Sequence, residues 1–144
     1  LFFVYLVPNK YKMKVKIAAL SVLLIGFVSC IKPKTDESNL ASPAAFEKLM
    51  QDENAQLVDV RTPEEYAEGH LKNALNISIS FDNFESQLEI LDKNKPVLVY
   101  CKMGGRSAKA AAKLKELGFK SISDLDGGIT SWNEAGKLTE VDLK

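Results

Sequence analysis

The segment Tyr100-Cys101-Lys102-Met103-Gly104-Gly105-Arg106-Ser107 sets a thiol at the head of a short loop that contains two adjacent glycines and ends on an arginine. Residues without a Cβ let the backbone fold tightly enough for several N–H groups to point at one spot, and such a nest binds an anion. Ser107 to Leu117 is rich in Ala and Lys and reads as a helix ended by Gly118, so a positive helix terminus near Arg106 is aimed at the same spot. Both effects favour the thiolate of Cys101 and bring its pKa below the ~8.5 of free cysteine. A thiolate at neutral pH attacks an electrophile without a separate general base. The plain alternative is a buried packing cysteine, but packing would not call for a Gly-Gly-Arg turn directly behind the sulfur.

Other candidate residues are weighed against this one. Asp59 and Arg61 close a strand beside the loop, where orienting the structure is favoured over touching a substrate. Lys102 and Arg106 are cations that solvent alone could satisfy, and Met103 either tunes access to the loop or covers it. His70 is the only histidine, and a Cys-His pair would suggest acyl transfer. Trp132 is assigned to the core. No pair of His, Cys or acidic side chains has metal-ligand spacing, so no metal is expected, and the chemistry calls for no cofactor.

The elements that must position the thiol alternate short apolar runs with amphipathic stretches, the pattern of an α/β fold with a mainly parallel sheet of about five strands flanked by helices. Ser42-Pro43 opens a helix to about Met50, with Ser42 as its cap and Pro43 at the first helical position. Gln56 to Val60 is a buried strand. Thr62-Pro63-Glu64-Glu65 is a capping box for a helix to about Glu68, ended by Gly69. Ala74 to Ile77 is a second strand, and Asp82 caps a helix bearing Phe84, Leu88 and Leu91 on one face. Val97 to Tyr100, apolar throughout, is a strand covered on both faces. Phe119 to Asp124 is the last strand; Gly127-Gly128 forms a turn and Ile129 to Ala135 a short helix. Strand, tight loop and helix around Cys101 is the arrangement in which open α/β sheets place their sites.

Three ordered segments resemble the rhodanese family: Asp59-Val60-Arg61-Thr62-Pro63-Glu64-Glu65-Tyr66 with Gly69-His70-Leu71, the Cys101 loop, and Leu125-Asp126-Gly127-Gly128-Ile129 with Trp132. Together they span about residues 43 to 138. Leu71-Lys72-Asn73-Ala74 stands where the family often has Ile-Pro-Gly-Ala, a departure confined to a turn. The resemblance implies a three-layer rhodanese-like fold and a sulfurtransferase of the thiosulfate:cyanide kind. Cys101 would carry sulfur as a persulfide, Lys102 to Arg106 would enclose it with Ser107 in support, and Arg106 would face the anionic part of a donor such as thiosulfate. A thiol or cyanide would accept the sulfur. The resemblance also makes His70 a turn residue. Related domains that hydrolyse phosphate esters or reduce arsenate have one more residue between Cys and Arg; the shorter loop here suits sulfur. A carrier that passes sulfur to a partner protein without efficient turnover is the alternative.

The N-terminal third reads differently. Met13-Lys14-Val15-Lys16 precedes thirteen uncharged residues, Ile17 to Ser29, and then Cys30. That length suits the apolar region of a signal peptide and falls short of the ~20 residues of a membrane-spanning helix. Phe27-Val28-Ser29-Cys30 resembles a lipoprotein box, which implies lipidation of Cys30 and a protein exported and anchored at the bacterial cell envelope. Residues 1 to 12 look like an upstream extension, 13 to 29 like the signal, 30 to 39 like a polar tether, and 40 to 144 like the domain. Cys101 is then the one free thiol of the mature chain. After Cys30, 15 basic residues stand against 19 acidic, a net charge near −4 with no basic stripe, which removes nucleic acid as an expected partner.

Overall fold

In the computed structural model, residues 39–141 are described. Their elements run β1 (Asn39–Ala41), α1 (Pro43–Leu49), β2 (Gln56–Asp59), α2 (Pro63–Glu68), β3 (Leu75–Asn76), α3 (Phe84–Gln87) continued by a 3₁₀ turn (Leu88–Ile90), β4 (Val97–Tyr100), α4 (Gly105–Glu116), β5 (Ile122–Leu125) and α5 (Gly128–Glu134). The five strands form one parallel sheet in the order β1-β5-β4-β2-β3. Helices cover both faces, as the sequence predicts.

Alternation along β4 divides the core. Val97, Val99 and Cys101 point to the face covered by α3 and α4, where they meet Val58, Phe84, Leu88, Ala110, Ala111 and Leu114. Leu98 and Tyr100 point to the other face, against Phe46 of α1 and Ile129 and Trp132 of α5. All four residues of β4 are buried, which explains its unbroken apolar sequence. From β2 the chain winds outward to β3, and from β4 it winds outward to β5. The crevice between the carboxyl ends of β2 and β4 is therefore a topological switch point, and Cys101 follows β4 at that crevice.

Local signals set the helix starts. Ser42 Oγ accepts from the Ala45 N–H at 3.4 Å, and the Thr62–Glu65 box is closed from both sides at 3.1 and 3.3 Å. Two expectations change. Asp82 does not cap the third helix: Asn83 occupies the cap position, without a side-chain hydrogen bond, and the helix is a four-residue turn that tightens to 3₁₀. The sequence puts the tether through Asn39, yet Asn39–Ala41 forms an edge strand against Ser123–Leu125. Three residues with one buried side chain carry too little pattern to be read as a strand alone. The proposed signal, Cys30 and most of the tether lie outside the described residues. Among those described, no helix is long and apolar enough to cross a membrane.

Candidate active site

Cys101 is 1% exposed, and its Sγ accepts the Gly104 N–H at 3.0 Å. Gly104 reaches that position with φ +103°, a left-handed conformation that a side chain disfavours, and α4 begins at the next residue. Ser107, fully buried on the first turn of α4, donates its hydroxyl to the Gly104 carbonyl at 3.0 Å and so braces the loop. Burial alone would raise the pKa of the thiol. The Ser107 hydroxyl and the N–H groups of Ser107, Gly104 and Met103 outweigh it, and the thiol is held below its ordinary value. The nest expected from the two glycines is thus built around the sulfur. Met103 is 72% exposed at the tip of the loop, and the Lys102 side chain also faces solvent.

The start of the loop is clamped from the other side. Ile129 N–H donates to Cys101 O at 2.9 Å, and Thr130 gives both its N–H, at 3.1 Å, and its hydroxyl, at 2.9 Å, to Lys102 O. This requires the first turn of α5 to lie directly on the Cys101–Lys102 backbone. A Cβ at Gly128 would fall 2.4 Å from Cys101 O, and φ there is +61°, so only glycine fits. The Gly127-Gly128 turn read from the sequence is in fact the contact surface of α5 with the loop.

Charged residues around the loop are paired. Arg106, which the sequence reading turns toward the donor, makes two bonds to Glu65 of α2, at 2.5 and 2.7 Å. The capping-box carboxylate faces the loop from α2, and a bidentate pair is the strongest use of both groups. Bonding to Arg106 is the main reason that Glu65 titrates low, at about 2; partial burial opposes it, and the Thr62 N–H adds to it. Asp59 and Arg61 form a buried pair at the end of β2, closest at 2.6 Å, and Arg61 also donates to Gly69 O at 2.7 Å. With the Asp59 carboxylate holding its backbone N–H and guanidinium together, Arg61 fixes the turn between α2 and β3. His70 stacks on Tyr66 with ring centroids 3.8 Å apart and pairs through its backbone with Glu140, at a distance in the chain from Cys101 and in no contact with it among the interactions described.

A cavity of 260 Å³ opens beside the loop between Arg61 and Glu65 on one side and Lys102, Thr130 and Asn133 on the other. A larger one, 390 Å³, lies between the segment 50–55 and Lys72 and has no nucleophile in its lining. The smaller cavity is the relevant one because Lys102 of the Cys101 loop lines it together with Ile129 and Thr130, which clamp that loop; Cys101 itself is buried and is not among its lining residues. Among the described residues no group of His, Cys, Asp and Glu is arranged to hold a metal.

The sequence pattern of the rhodanese-like domain matches residues 42–135. The chain belongs to the rhodanese-like domain family. Within the family it is similar to thiosulfate sulfurtransferase GlpE of Coxiella burnetii, 39% identical over 85 residues, covering 59% of this chain and 78% of the relative. It is also similar to tRNA uridine(34) hydroxylase of Pelagibacter ubique, 33% identical over 123 residues; these cover 85% of this chain and only 40% of that longer protein. The fold matches the crystal structure of a rhodanese-related protein from Thermoplasma volcanium with a TM-score of 0.65 at 33% identity, covering 72% of this chain and 99% of that one. The Asp-Gly-Gly and Cys-loop segments that carried the resemblance in sequence are thus the two halves of one clamp around the rhodanese-like thiol. Sequence reasoning assigns neither Glu65 as the partner of Arg106 nor Asp124 to the site; for Asp124 the available signal is an acidic residue next to Leu125 within the last strand.

Proposed function

We propose that this rhodanese-like domain is a sulfurtransferase that carries sulfane sulfur on Cys101. The observation that carries the reading is the buried Cys101 sulfur, held below its ordinary pKa by the donors of its own loop. Relatives named as sulfurtransferases, GlpE among them, support the reaction class. The donor is thiosulfate or a similar anion bearing an outer sulfur. The Cys101 thiolate attacks that sulfur, the S–S bond of the donor breaks, and sulfite leaves with the bonding pair. The product is a persulfide anion whose terminal sulfur takes the place of the thiolate among the loop N–H groups. A thiophilic acceptor, cyanide in an assay or a thiol, then attacks the terminal sulfur and returns the Cys101 thiolate. With Arg106 engaged by Glu65, Lys102 is the loop cation left facing solvent at the mouth of the cavity, and it supplies the attraction for an anionic donor.

Thiocyanate formation from thiosulfate and cyanide tests this. The wild-type chain should turn over and Cys101→Ser should not, and intact mass after exposure to thiosulfate should show one added sulfur atom in the wild type alone. Equal thiocyanate rates for the two proteins would remove catalysis by Cys101.

The N-terminal reading is part of the same proposal: Met13 to Ser29 directs export and Cys30 is acylated, so that the domain works at the envelope. The basic start, the apolar run of signal length and the small residue before Cys30 support it. In cells fed labelled palmitate, the label should enter the wild-type protein and be absent from Cys30→Ala.

A further inference from the structure

Behind the reactive loop sits a carboxyl group that the sulfur chemistry described above does not use. Asp124 of β5 is 1% exposed, and neither of its side-chain oxygens makes a hydrogen bond of good geometry, although the Ser107 hydroxyl and the Leu125 N–H lie near enough to favour its carboxylate form. It pairs in register with Val99 of β4, and Ile122, two residues before it, packs on the same core cluster as Val97, Val99 and Cys101. Alternation along β5 therefore puts Asp124 on the face covered by α4. Ser107 is the polar residue that α4 buries on that face; the other buried side chains of the helix are Ala110, Ala111 and Leu114. The Ser107 hydroxyl lies close enough to influence both Cys101 and Asp124, while its proton is given to Gly104 O. One hydroxyl proton thus has three claimants: a carbonyl, a sulfur and a carboxyl.

We propose that Asp124 is a positioning residue for the Cys101 sulfur, acting through Ser107: as the neutral acid it leaves the Ser107 hydroxyl to the sulfur, and as the carboxylate it draws that hydroxyl away. The neutral acid has a proton of its own to donate, and Ser107 Oγ can accept it while still donating onward. The carboxylate has no donor and competes for the proton of Ser107, adding a second negative charge behind the thiolate. Burial pushes the carboxyl up to about 6, opposed in part by Ser107, so the exchange falls within the working pH range of a cell. The other charged group acting on Asp124 is Asp126, just past the end of β5, and the Leu125 N–H favours the carboxylate. Cys101 follows Val99, the register partner of Asp124, on the same face, while β1 brings Leu40 and α1 and α5 bring apolar side chains to the opposite face. The thiolate is accordingly best stabilised on the acid side of neutrality.

The proposal deepens the reading of Cys101 as the sulfur carrier, and its test reports titration of the thiol whether or not sulfur is transferred. The rate of alkylation by iodoacetamide is followed against pH in the wild type, Asp124→Asn, Ser107→Ala and the double variant. Asp124→Asn should lower the midpoint for Cys101 by roughly one unit, as removal of one nearby buried charge does. Ser107→Ala should raise it, and the effect of Asp124→Asn should shrink in the Ser107→Ala background. An unchanged midpoint in Asp124→Asn overturns the proposal, and a full shift in the double variant overturns the route through Ser107. Independently of how the Asp124 variant folds, coupling is reciprocal: the carboxyl ¹³C signal of Asp124 should titrate at lower pH in Cys101→Ser than in the wild type. The same midpoint in both would also overturn it.

Discussion

At the scale of single residues, the site depends on side chains that each serve two partners. Glu65 closes the capping box of α2 through the Thr62 N–H and holds both guanidinium nitrogens of Arg106. Its pKa, lowered from 4.5 to about 2, means that the folded state prefers the carboxylate. The stabilisation is therefore complete above the ordinary value and is lost as pH falls through about 2. Glu65→Gln keeps an oxygen for the cap but loses the charge. It should cost about 1 kcal/mol at neutral pH, a modest value because solvent partly screens the pair. In urea melts the gap between the two proteins should close as pH falls from 4.5 toward 2; a gap that stays constant would show that packing, not charge, binds α2 to the loop.

At the scale of elements, the reactive loop is held between two helix starts. α4 begins inside it and supplies N–H groups to the sulfur, while the first turn of α5 seals the Cys101 and Lys102 carbonyls. The second contact has no slack, since Gly128 approaches the loop backbone more closely than any Cβ could. Gly128→Ala should destabilise the domain by about 3 kcal/mol, combining left-handed strain with a backbone clash. What folds should transfer sulfur on the order of 10²-fold more slowly, because a displacement near 1 Å at a reacting centre has that effect. Denaturant melts and single-turnover sulfur release measure the two separately. A variant with wild-type transfer rate would mean that α5 supports the fold without setting the geometry of the loop.

At the scale of the whole domain, the buried carboxyl of Asp124 gives stability a pH dependence opposite to that of Glu65. Its folded pKa is raised from 3.8 to about 6, so the folded state holds the proton more tightly than the unfolded chain. Stability from this group is complete below 3.8, declines as pH rises toward 6 and stays reduced above it. Asp124→Asn, which cannot ionise, should be more stable than the wild type at pH 8 by up to about 3 kcal/mol and equal to it near pH 4. Denaturation midpoints across that range would check the sign, and a variant less stable at pH 8 would show that the carboxylate is satisfied in the fold.

Much of this was legible in one dimension. The apolar run Val97–Tyr100 marked a covered strand, the Thr62–Glu65 spacing marked a helix start, and Cys101 followed by Gly104, Gly105 and Arg106 marked an anion nest, because each signal is local and expresses what a few neighbouring residues can do by themselves. Strand order, the β1 edge and the identity of each charge's partner were not legible, since they depend on segments far apart in the chain. Glu65 and Arg106 are 41 residues apart, and Thr130 bonds a carbonyl 28 residues before it. Sequence marked Cys101 and its loop as the candidate site. Only the packing of α2, α4 and α5 around the end of β4 decided which charges are neutralised, which backbone is clamped and which buried acid lies behind the sulfur, because those outcomes follow from distances that no spacing along the chain encodes.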